Sequence, residues 1–295
     1  MIGRVAGRMA LAIAILGSQA PSAIAKDYED RIAARPGGRL QVDLASGSVE
    51  VESHDENEVR VDAQVGGVGA RSLDFRLSGN GVDVFFSADV GGWAQLLGGT
   101  RLRVRLKVPE HYDLDIRTHG GNIEVEEIRG DVVARTSGGS VEVDEIEGNV
   151  DLRSSGGSIE AKEIRGNLVA RTSGGRIRAS EISGDVEART SGGPIKITDV
   201  GGRVDLHTSG GGISVRFTDD PEGQLETSGG NIEVEFPEDA GVDLDARTSG
   251  GGVEVEHEIV VQGRLDRSRV EGKINGGGRT LQLRTSGGSI RVRAR

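Results

Sequence analysis

Apolar and polar residues alternate in short runs that return every 18 residues along the second half of the chain. In residues 140–157, Val141 and Val143 alternate with acidic residues, and Val150 and Leu152 alternate in the same way after an intervening turn. The two following blocks repeat the pattern with other aliphatic residues. Because alternation with a period of two buries one face of a strand, each block predicts two short strands separated by two turns.

A Ser-Gly-Gly turn closes each block and marks the period. The spacings are 18 and then 19, 21 and 37 residues, and the copies begin at Ser137, Ser155, Ser173, Ser191, Ser209, Ser228, Ser249 and Ser286. Two short strands are not stable alone, and a fixed period is typical of a repeat architecture. Residues 114–295 therefore predict an all-β, parallel β-solenoid of roughly nine coils stacked about 4.8 Å apart, with about 18 residues in each coil.

Residues 40–113 predict an N-terminal β region that is continuous with the solenoid. Residues 73–77 and 82–86 alternate on either side of Asn80-Gly81, which is typical of an antiparallel hairpin. A solenoid exposes unpaired strand edges at its ends, and this hairpin is expected to cap one of them. At the other end, residues 281–295 are expected to form the last coil, where their arginines would discourage edge pairing.

Two further segments precede or interrupt the strands. Residues 26–39 are expected to be a lead-in segment, because Pro36-Gly37-Gly38 breaks any regular structure. Trp93 lies between two glycine pairs and is expected in a loop or short helix that packs over a sheet edge.

Residues 1–25 have the features of a secretory signal peptide. Arg4 and Arg8 precede a short apolar stretch, and Ala23-Ile24-Ala25 forms a small-residue cleavage site. The apolar stretch is shorter than the roughly 20 residues that a membrane span needs. The mature chain is therefore expected to lack a membrane span, to be exported, and to be periplasmic, extracellular or at the cell surface.

Composition and charge exclude several classes of function. The net charge of −11 becomes −13 without the two arginines of the signal peptide, and nucleic acid binding needs a positive surface. The chain has no cysteine, so disulfides, thiolate chemistry and a lipidated cysteine are excluded. The five histidines lack metalloprotease spacing, and no nucleophile elbow, phosphate loop or complete dinucleotide motif is present. Neither catalysis nor a cofactor is expected.

Each position within a coil becomes a column along the solenoid. One column is expected to point inward and to form hydrogen bonds along the stack, and it contains Thr136, Ser154, Thr172, Thr190 and Thr208. A second column points outward, is continued by His207, and contains Arg135, Arg153, Arg171 and Arg189. Guanidinium groups at strand spacing can hold a polyanion such as an acidic polysaccharide or a lipopolysaccharide phosphate. The alternative is a solvated face on which these arginines pair with carboxylates such as Asp151 and Glu187.

A third column is acidic and contains Glu127, Glu145, Glu163, Glu181 and Asp199. Stacked carboxylates repel one another, so their pKa values are expected to rise unless a cation or an arginine intervenes. Calcium prefers oxygen ligands, which makes these residues weak cation-binding candidates. The favoured alternative is a solvated face balanced by arginines.

The order of the motifs resembles the bacterial putative-adhesin family. The resemblance rests on Gly47-Ser48-Val49-Glu50-Val51, on Leu106-Lys-Val-Pro109, on the Thr-Ser-Gly-Gly coils and on the segment 272–278, and it covers nearly all of residues 37–293. It implies an exported or surface-associated β-solenoid of unknown function, and it defines no catalytic or binding residues.

Together these features predict a non-catalytic exported protein of the cell envelope. Long faces of charged columns suit weak contacts repeated many times, and the expected partner is an envelope polysaccharide or another envelope protein. The alternative is a polysaccharide-acting enzyme, a lyase or glycosidase on a β-helix, that uses a pair of carboxylates in a cleft. Tight turns and only eight aromatic residues disfavour that alternative.

Overall fold

The computed structural model describes residues 26–66, 73–90, 101–261 and 266–295. The regular structure in these residues is entirely β, with 27 strands in two sheets. The predicted all-β solenoid is therefore confirmed. None of the described ranges contains a helix that is long and apolar enough to cross a bilayer. The predicted signal peptide and Trp93 lie outside the described residues.

In chain order the strands are β1 (Lys26–Ala33), β2 (Gly38–Leu44), β3 (Ser48–His54), β4 (Glu58–Gly66), β5 (Leu73–Gly79), β6 (Val84–Val90), β7 (Arg101–Pro109), β8 (Tyr112–Thr118), β9 (Ile123–Arg129), β10 (Val132–Thr136), β11 (Val141–Glu147), β12 (Val150–Ser154), β13 (Ile159–Ile164), β14 (Leu168–Arg171), β15 (Ile177–Ile182), β16 (Val186–Thr190), β17 (Ile195–Val200), β18 (Val204–Thr208), β19 (Ile213–Phe217), β20 (Gly223–Thr227), β21 (Ile232–Phe236), β22 (Val242–Thr248), β23 (Val253–Val255), β24 (Ile259–Val261), β25 (Arg269–Ile274), β26 (Arg279–Thr285) and β27 (Ile290–Ala294).

The strands form two long sheets that face each other across the core. Sheet A has thirteen strands in the order β1-β4-β7-β3-β9-β11-β13-β15-β17-β19-β21-β27-β23. Sheet B has fourteen, in the order β5-β6-β2-β8-β10-β12-β14-β16-β18-β20-β26-β22-β25-β24. One strand from each sheet makes a coil, so the described residues form eleven coils. Nine of these coils belong to the predicted repeat region, and two come from the N-terminal region.

The coils stack in register, which gives columns of identical position. Val141 of β11 lies between Ile123 and Ile159 of the neighbouring coils, and Val143 lies next to Ala161. These aliphatic side chains are almost completely buried. Because they are small, the two sheets enclose a narrow dry core, and its stability comes from apolar area removed from water.

The predicted inward column of Thr and Ser residues is confirmed. Thr172 Oγ1 donates to the carbonyl of Gly157 in the preceding coil at 2.8 Å and accepts from the amide of Gly175 in its own turn at 3.4 Å. The same pair of contacts recurs along the stack except at Thr118, which makes only the contact to the neighbouring coil. The buried members of the column are Thr118, Thr136, Ser154, Thr172, Thr190, Thr208, Thr227, Thr248 and Thr285. Each hydroxyl thus joins two coils, and all but that of Thr118 also close one turn.

The second glycine of each Ser-Gly-Gly turn lies against the backbone of the preceding coil. A Cβ atom on Gly157 would be 2.0 Å from the carbonyl oxygen of Gly139, which is backbone and cannot rotate away. The first glycine differs, because a Cβ atom on Gly156 would meet nothing closer than 3.8 Å. Only the second position therefore requires glycine for close approach.

The predicted hairpin forms at the N-terminal end of the stack. Strands β5 and β6 pair antiparallel around Asn80-Gly81, and β6 covers the edge of β2. Strand β1, which arises within the predicted lead-in segment, pairs antiparallel with β4 at the edge of sheet A. The rings of Tyr28 and Phe75 stack across the end with centroids 4.7 Å apart. The cap therefore uses both sheets and includes a strand that the sequence analysis did not predict.

The position of the last coil differs from the sequence-based expectation. Strands β26 and β27 lie inside the stack, between β20 and β22 in sheet B and between β21 and β23 in sheet A. The prediction that residues 281–295 form the exposed end of the solenoid is therefore wrong. Their arginines pair with carboxylates of both neighbouring coils, for example Arg293 with Glu233 at 2.6 Å and with Glu256 at 3.5 Å.

His257 is buried near the C-terminal end of the stack. Its ring stacks on Phe236 with a centroid distance of 4.2 Å, and neither ring nitrogen has a hydrogen-bond partner. Burial lowers the pKa of His257, and the carboxylates of Glu238 and Glu256 oppose this shift only in part. The carbonyl of Pro237 also opposes this lowering of the pKa, although it does not form a hydrogen bond with the ring of His257.

Lowering the pH from 7 to 5 is expected to destabilise the C-terminal coils through His257. The pKa of His257 in the folded state lies below the unfolded value of about 6.5. Its contribution to the free energy of unfolding is therefore complete above the unfolded pKa and is lost as the pH falls through the folded-state pKa. Amide exchange of β23 should therefore accelerate at pH 5 in the wild type and much less in a His257→Leu variant. Equal acceleration in both proteins would contradict this role.

Candidate interaction surfaces

The arginine column runs along the outer face of sheet B. Register places Arg135, Arg153, Arg171 and Arg189 on adjacent strands, followed by His207. The four side chains are between 32% and 51% exposed. Arg117 of β8 extends the column by one coil, and like Arg135 it is followed by an inward threonine.

On the same face, carboxylates lie two residues before every second arginine, and valines occupy that position in the coils between them. Asp151 is 3.0 Å from Arg153 and 3.7 Å from Arg135, so one carboxylate serves two coils. Glu187 is shared in the same way by Arg171, at 2.7 Å, and Arg189, at 3.1 Å. These pairs are the ones anticipated by the solvated-face alternative. The outer face of sheet B is therefore a strip of alternating charge.

The arginine column ends at His207 because the next coil carries an acidic residue. His207 lies beside Glu226, and its Nδ1 is 3.7 Å from the carboxylate. Glu226 in turn lies beside Arg284 of the inserted coil. Beyond His207 the column therefore carries one acidic residue and then returns to arginine, with Arg247 beside Arg284.

The acidic column lies at a corner of each coil. Glu127, Glu145, Glu163, Glu181 and Asp199 all have a left-handed backbone, with φ between 49° and 58°. The extra residue at this corner returns the next side chain to the core, as the pairing of Ile146 with Ile164 shows. A left-handed backbone is costly for residues with a Cβ, so these corners store strain. The column is therefore fixed by the shape of the coil.

A shallow groove of about 340 Å³ runs beside the corner and is lined by four of these acidic residues. Its other wall carries Arg129, Glu147 and Arg165, which form ion pairs with one another, including one of 2.6 Å between Arg165 and Glu147. Within the ranges described, no three His, Asp or Glu side chains are grouped in a way that could hold a metal ion.

Asp199 is the acidic-column member with an altered pKa. Hydrogen bonds from Arg216, at 2.7 Å and 3.1 Å, and the nearby Arg295 hold the pKa of Asp199 below its usual value. Arg295 belongs to the inserted C-terminal segment, so the end of the chain contacts a corner three coils away. Arginines therefore balance this carboxylate, as the solvated-face alternative anticipated.

The enzyme alternative required a carboxylate pair in a cleft. Burial raises the pKa of Glu126, and the charges of Glu124, Glu52, Asp144 and Glu127 raise it further. Glu126 nevertheless lies exposed in an outward column of sheet A. Its raised pKa thus arises from desolvation and from repulsion among carboxylates on an open face, and it does not identify a catalytic acid.

A comparison with solved structures found chains that are similar to this one. A putative adhesin from Parabacteroides distasonis is 13% identical over 91% of this chain and 97% of its own, with a TM-score of 0.52. A putative lipid binding protein from the same species is 14% identical over 90% and 96%, with a TM-score of 0.48. A putative adhesin from Bacteroides fragilis is 11% identical over 91% and 97%, with a TM-score of 0.41. A comparison with curated proteins found no match.

A family model described as Toastrack DUF4097 matches residues 38–293. The matched range begins with strand β2 and ends in β27, so it includes residues from all eleven coils. The resemblance to putative adhesins of unknown function is confirmed by this match. The chain belongs to the Toastrack DUF4097 family.

Proposed function

We propose that this chain is a non-catalytic, exported β-solenoid of the cell envelope that binds its partner through the charged outer face of sheet B. The partner is an envelope polysaccharide or another envelope protein that carries anionic groups. Residues 1–25 supply the export signal, and the mature chain acts in the periplasm or at the cell surface. The similar structure from Parabacteroides distasonis is named a putative adhesin. That name describes the same class of function as the one proposed here.

The observation that carries the proposal is the arrangement of Arg135, Arg153, Arg171 and Arg189. Each guanidinium has five N–H donors in a planar fork. Arg171 uses one nitrogen in its hydrogen bond to Glu187, and Arg153 uses two in its bonds to Asp151. Spare donors on half-exposed side chains remain available to phosphate or carboxylate groups of a ligand.

Shared carboxylates make each single contact weak. An anionic ligand competes with Asp151 and Glu187 for the same guanidinium groups. Repetition at strand spacing of about 4.8 Å offsets this weakness, because a polymer held at one arginine is at high effective concentration near the next. The face is thus suited to a long, repetitive anionic partner.

Changing all four column arginines to serine is expected to lower retention of the chain on isolated envelope fractions by at least about tenfold, because several charge-assisted hydrogen bonds are lost. The matched control removes the same number of charges at or beside the turns, with serine at Arg129, Arg165, Arg203 and Arg279. Control and wild type should be retained equally. Equal retention of all three proteins would contradict the proposal, and equal loss in both variants would indicate a general effect of net charge.

A further inference from the structure

The outer face of sheet A carries two blocks of opposite charge. The acidic block consists of Glu124 and Glu126 on β9 and Asp144 on β11. The basic block consists of Arg176, just before β15, Arg178 on β15 and Lys196 on β17. In the part of the chain that the structure describes, none of these six side chains forms an ion pair, although most charged residues of the neighbouring coils do.

The strand between the two blocks is neutralised locally. Lys162 of β13 lies 3.3 Å from Glu160 on its own strand and 3.3 Å from Glu142 on β11. Arg178 is the register partner of Glu160, but Lys162 already holds that carboxylate. The basic block is therefore left without a carboxylate, and the acidic block without a cation.

Both blocks are unfavourable in an isolated molecule. Arg178 and Lys196 are direct register partners on adjacent strands, where like charges destabilise a sheet. In the acidic block, desolvation and then repulsion by neighbouring carboxylates raise the pKa of Glu126, and Oδ1 of Asp144 is shielded from water without a hydrogen-bond partner. A surface that brought the two blocks of different molecules together would relieve both.

The blocks are placed symmetrically about β13. In sheet A, β11 and β15 lie one strand from β13, and β9 and β17 lie two strands from it. The centres of the blocks are therefore separated by three strand spacings, about 14 Å. A two-fold axis that runs parallel to β13, just outside the sheet, would place β9 of one molecule over β17 of another and β11 over β15. Glu124 would then face Lys196, and Asp144 would approach Arg178.

We propose that the outer face of sheet A binds a second copy of this chain about that axis. The contact is isologous: the acidic block of each copy meets the basic block of the other, so the assembly closes as a dimer. Face-to-face sheets pack with their strands within about 30° of each other, which keeps both pairs of blocks in contact. Since the contacts are mostly exposed charge pairs, association is weak and weakens further as salt screens them. This interface lies on the opposite sheet from the proposed envelope-binding face and does not depend on it.

Charge reversal provides a test with an internal rescue. One variant carries Glu at positions 176, 178 and 196, and the other carries Lys at positions 124, 126 and 144. Either variant alone would oppose like charges at both contacts of a homodimer. An equimolar mixture would restore both contacts, because every acidic block then meets a basic one. Arg153→Glu on sheet B is the control that leaves the interface unchanged.

Sedimentation velocity of the purified chain at low salt measures the outcome. The wild type and the Arg153→Glu control are expected to dimerise, each reversed variant to bind itself at least about 100-fold more weakly, and the mixture to form a one-to-one dimer. A wild type that stays monomeric at low salt would overturn the proposal. So would reversed variants that dimerise as the wild type does, or a mixture that fails to associate. If a reversed variant does not fold, Arg178→Gln with Lys196→Gln should weaken dimerisation by about tenfold, and unchanged dimerisation would also overturn it.

Discussion

Replacing Gly157 by alanine is expected to destabilise the solenoid by about 3 kcal/mol, whereas replacing Gly156 should change its stability by less than about 0.5 kcal/mol. The new methyl group at Gly157 would meet three backbone atoms of the preceding coil, at 2.0, 2.3 and 2.7 Å. At Gly156 it would make an ordinary contact at 3.8 Å. Denaturant unfolding of both variants measures the difference.

The two glycines form a matched pair because they are adjacent in sequence and share the same turn. Neither has a positive φ, so conformational freedom does not separate them. The same two coils are joined by the hydrogen bond from the Ser154 hydroxyl to the carbonyl of Gly139, so their separation would break that hydrogen bond as well. Similar losses of stability in the two variants would show that coil spacing does not set the glycine requirement.

Deleting residues 279–295 is expected to unfold the C-terminal third of the chain. These residues form β26 and β27, and their side chains Leu281, Leu283, Ile290 and Val292 are fully buried. Their burial contributes about 6–12 kcal/mol, comparable to the whole stability of a typical domain. Since the coil lies inside the stack, its loss would also separate β20 from β22. Amide exchange of β20–β25 would measure the effect, and protection as in the intact chain would contradict the inserted arrangement.

A disulfide cross-link can test the same arrangement in the full-length chain. The chain has no cysteine, so two can be introduced without competing thiols. Gln224 and Gln282 are register partners on adjacent strands, whereas Gln224 and Asp245 are two strands apart. A disulfide joins Cα atoms less than about 7 Å apart, so the pair at 224 and 282 should oxidise and the pair at 224 and 245 should not. The reverse result would mean that the coils follow chain order.

The coil itself could be predicted because its information is local and repeated. Alternation of apolar residues indicated which side chains face the core, and the 18-residue period placed Thr172 and its counterparts in one inward column. The same logic identified the hairpin around Asn80-Gly81. These features follow from strand periodicity and turn chemistry, which act within a few residues.

The order of coils at the C-terminal end could not be predicted, because every coil presents the same apolar columns to its neighbours. Leu225 packs against Leu283 of the inserted coil, and Ala246 of β22 lies in the same column, so the sequence pattern does not distinguish the two as neighbours of Leu225. The spacing of 37 before Ser286 is close to two periods, but it reflects a return of the chain into the gap between β20 and β22. Strand β1 was missed because only Tyr28 and Ile32 mark its inner face.

Only some features of the candidate surfaces could be predicted from the sequence. The outward arginine column followed from the period, but its pairing with Asp151 and Glu187 depends on registers that only the structure supplies. The left-handed corner at Glu145 was not predicted, although the spacing of three residues between Val143 and Ile146 indicates an extra residue there. The blocks of opposite charge on sheet A each span more than one column. Their complementarity therefore appears only when several columns are compared.

The arginine column on sheet B is proposed to carry the binding, while the turn residues hold the coils together. The most direct test is the fraction of purified chain retained on isolated envelope fractions when Arg135, Arg153, Arg171 and Arg189 are all serine, measured beside the wild type at equal folded fraction. Retention is predicted to fall at least about tenfold while the thermal midpoint stays within a few degrees, because these exposed pairs contribute little to folding. Retention equal to that of the wild type would contradict the claim.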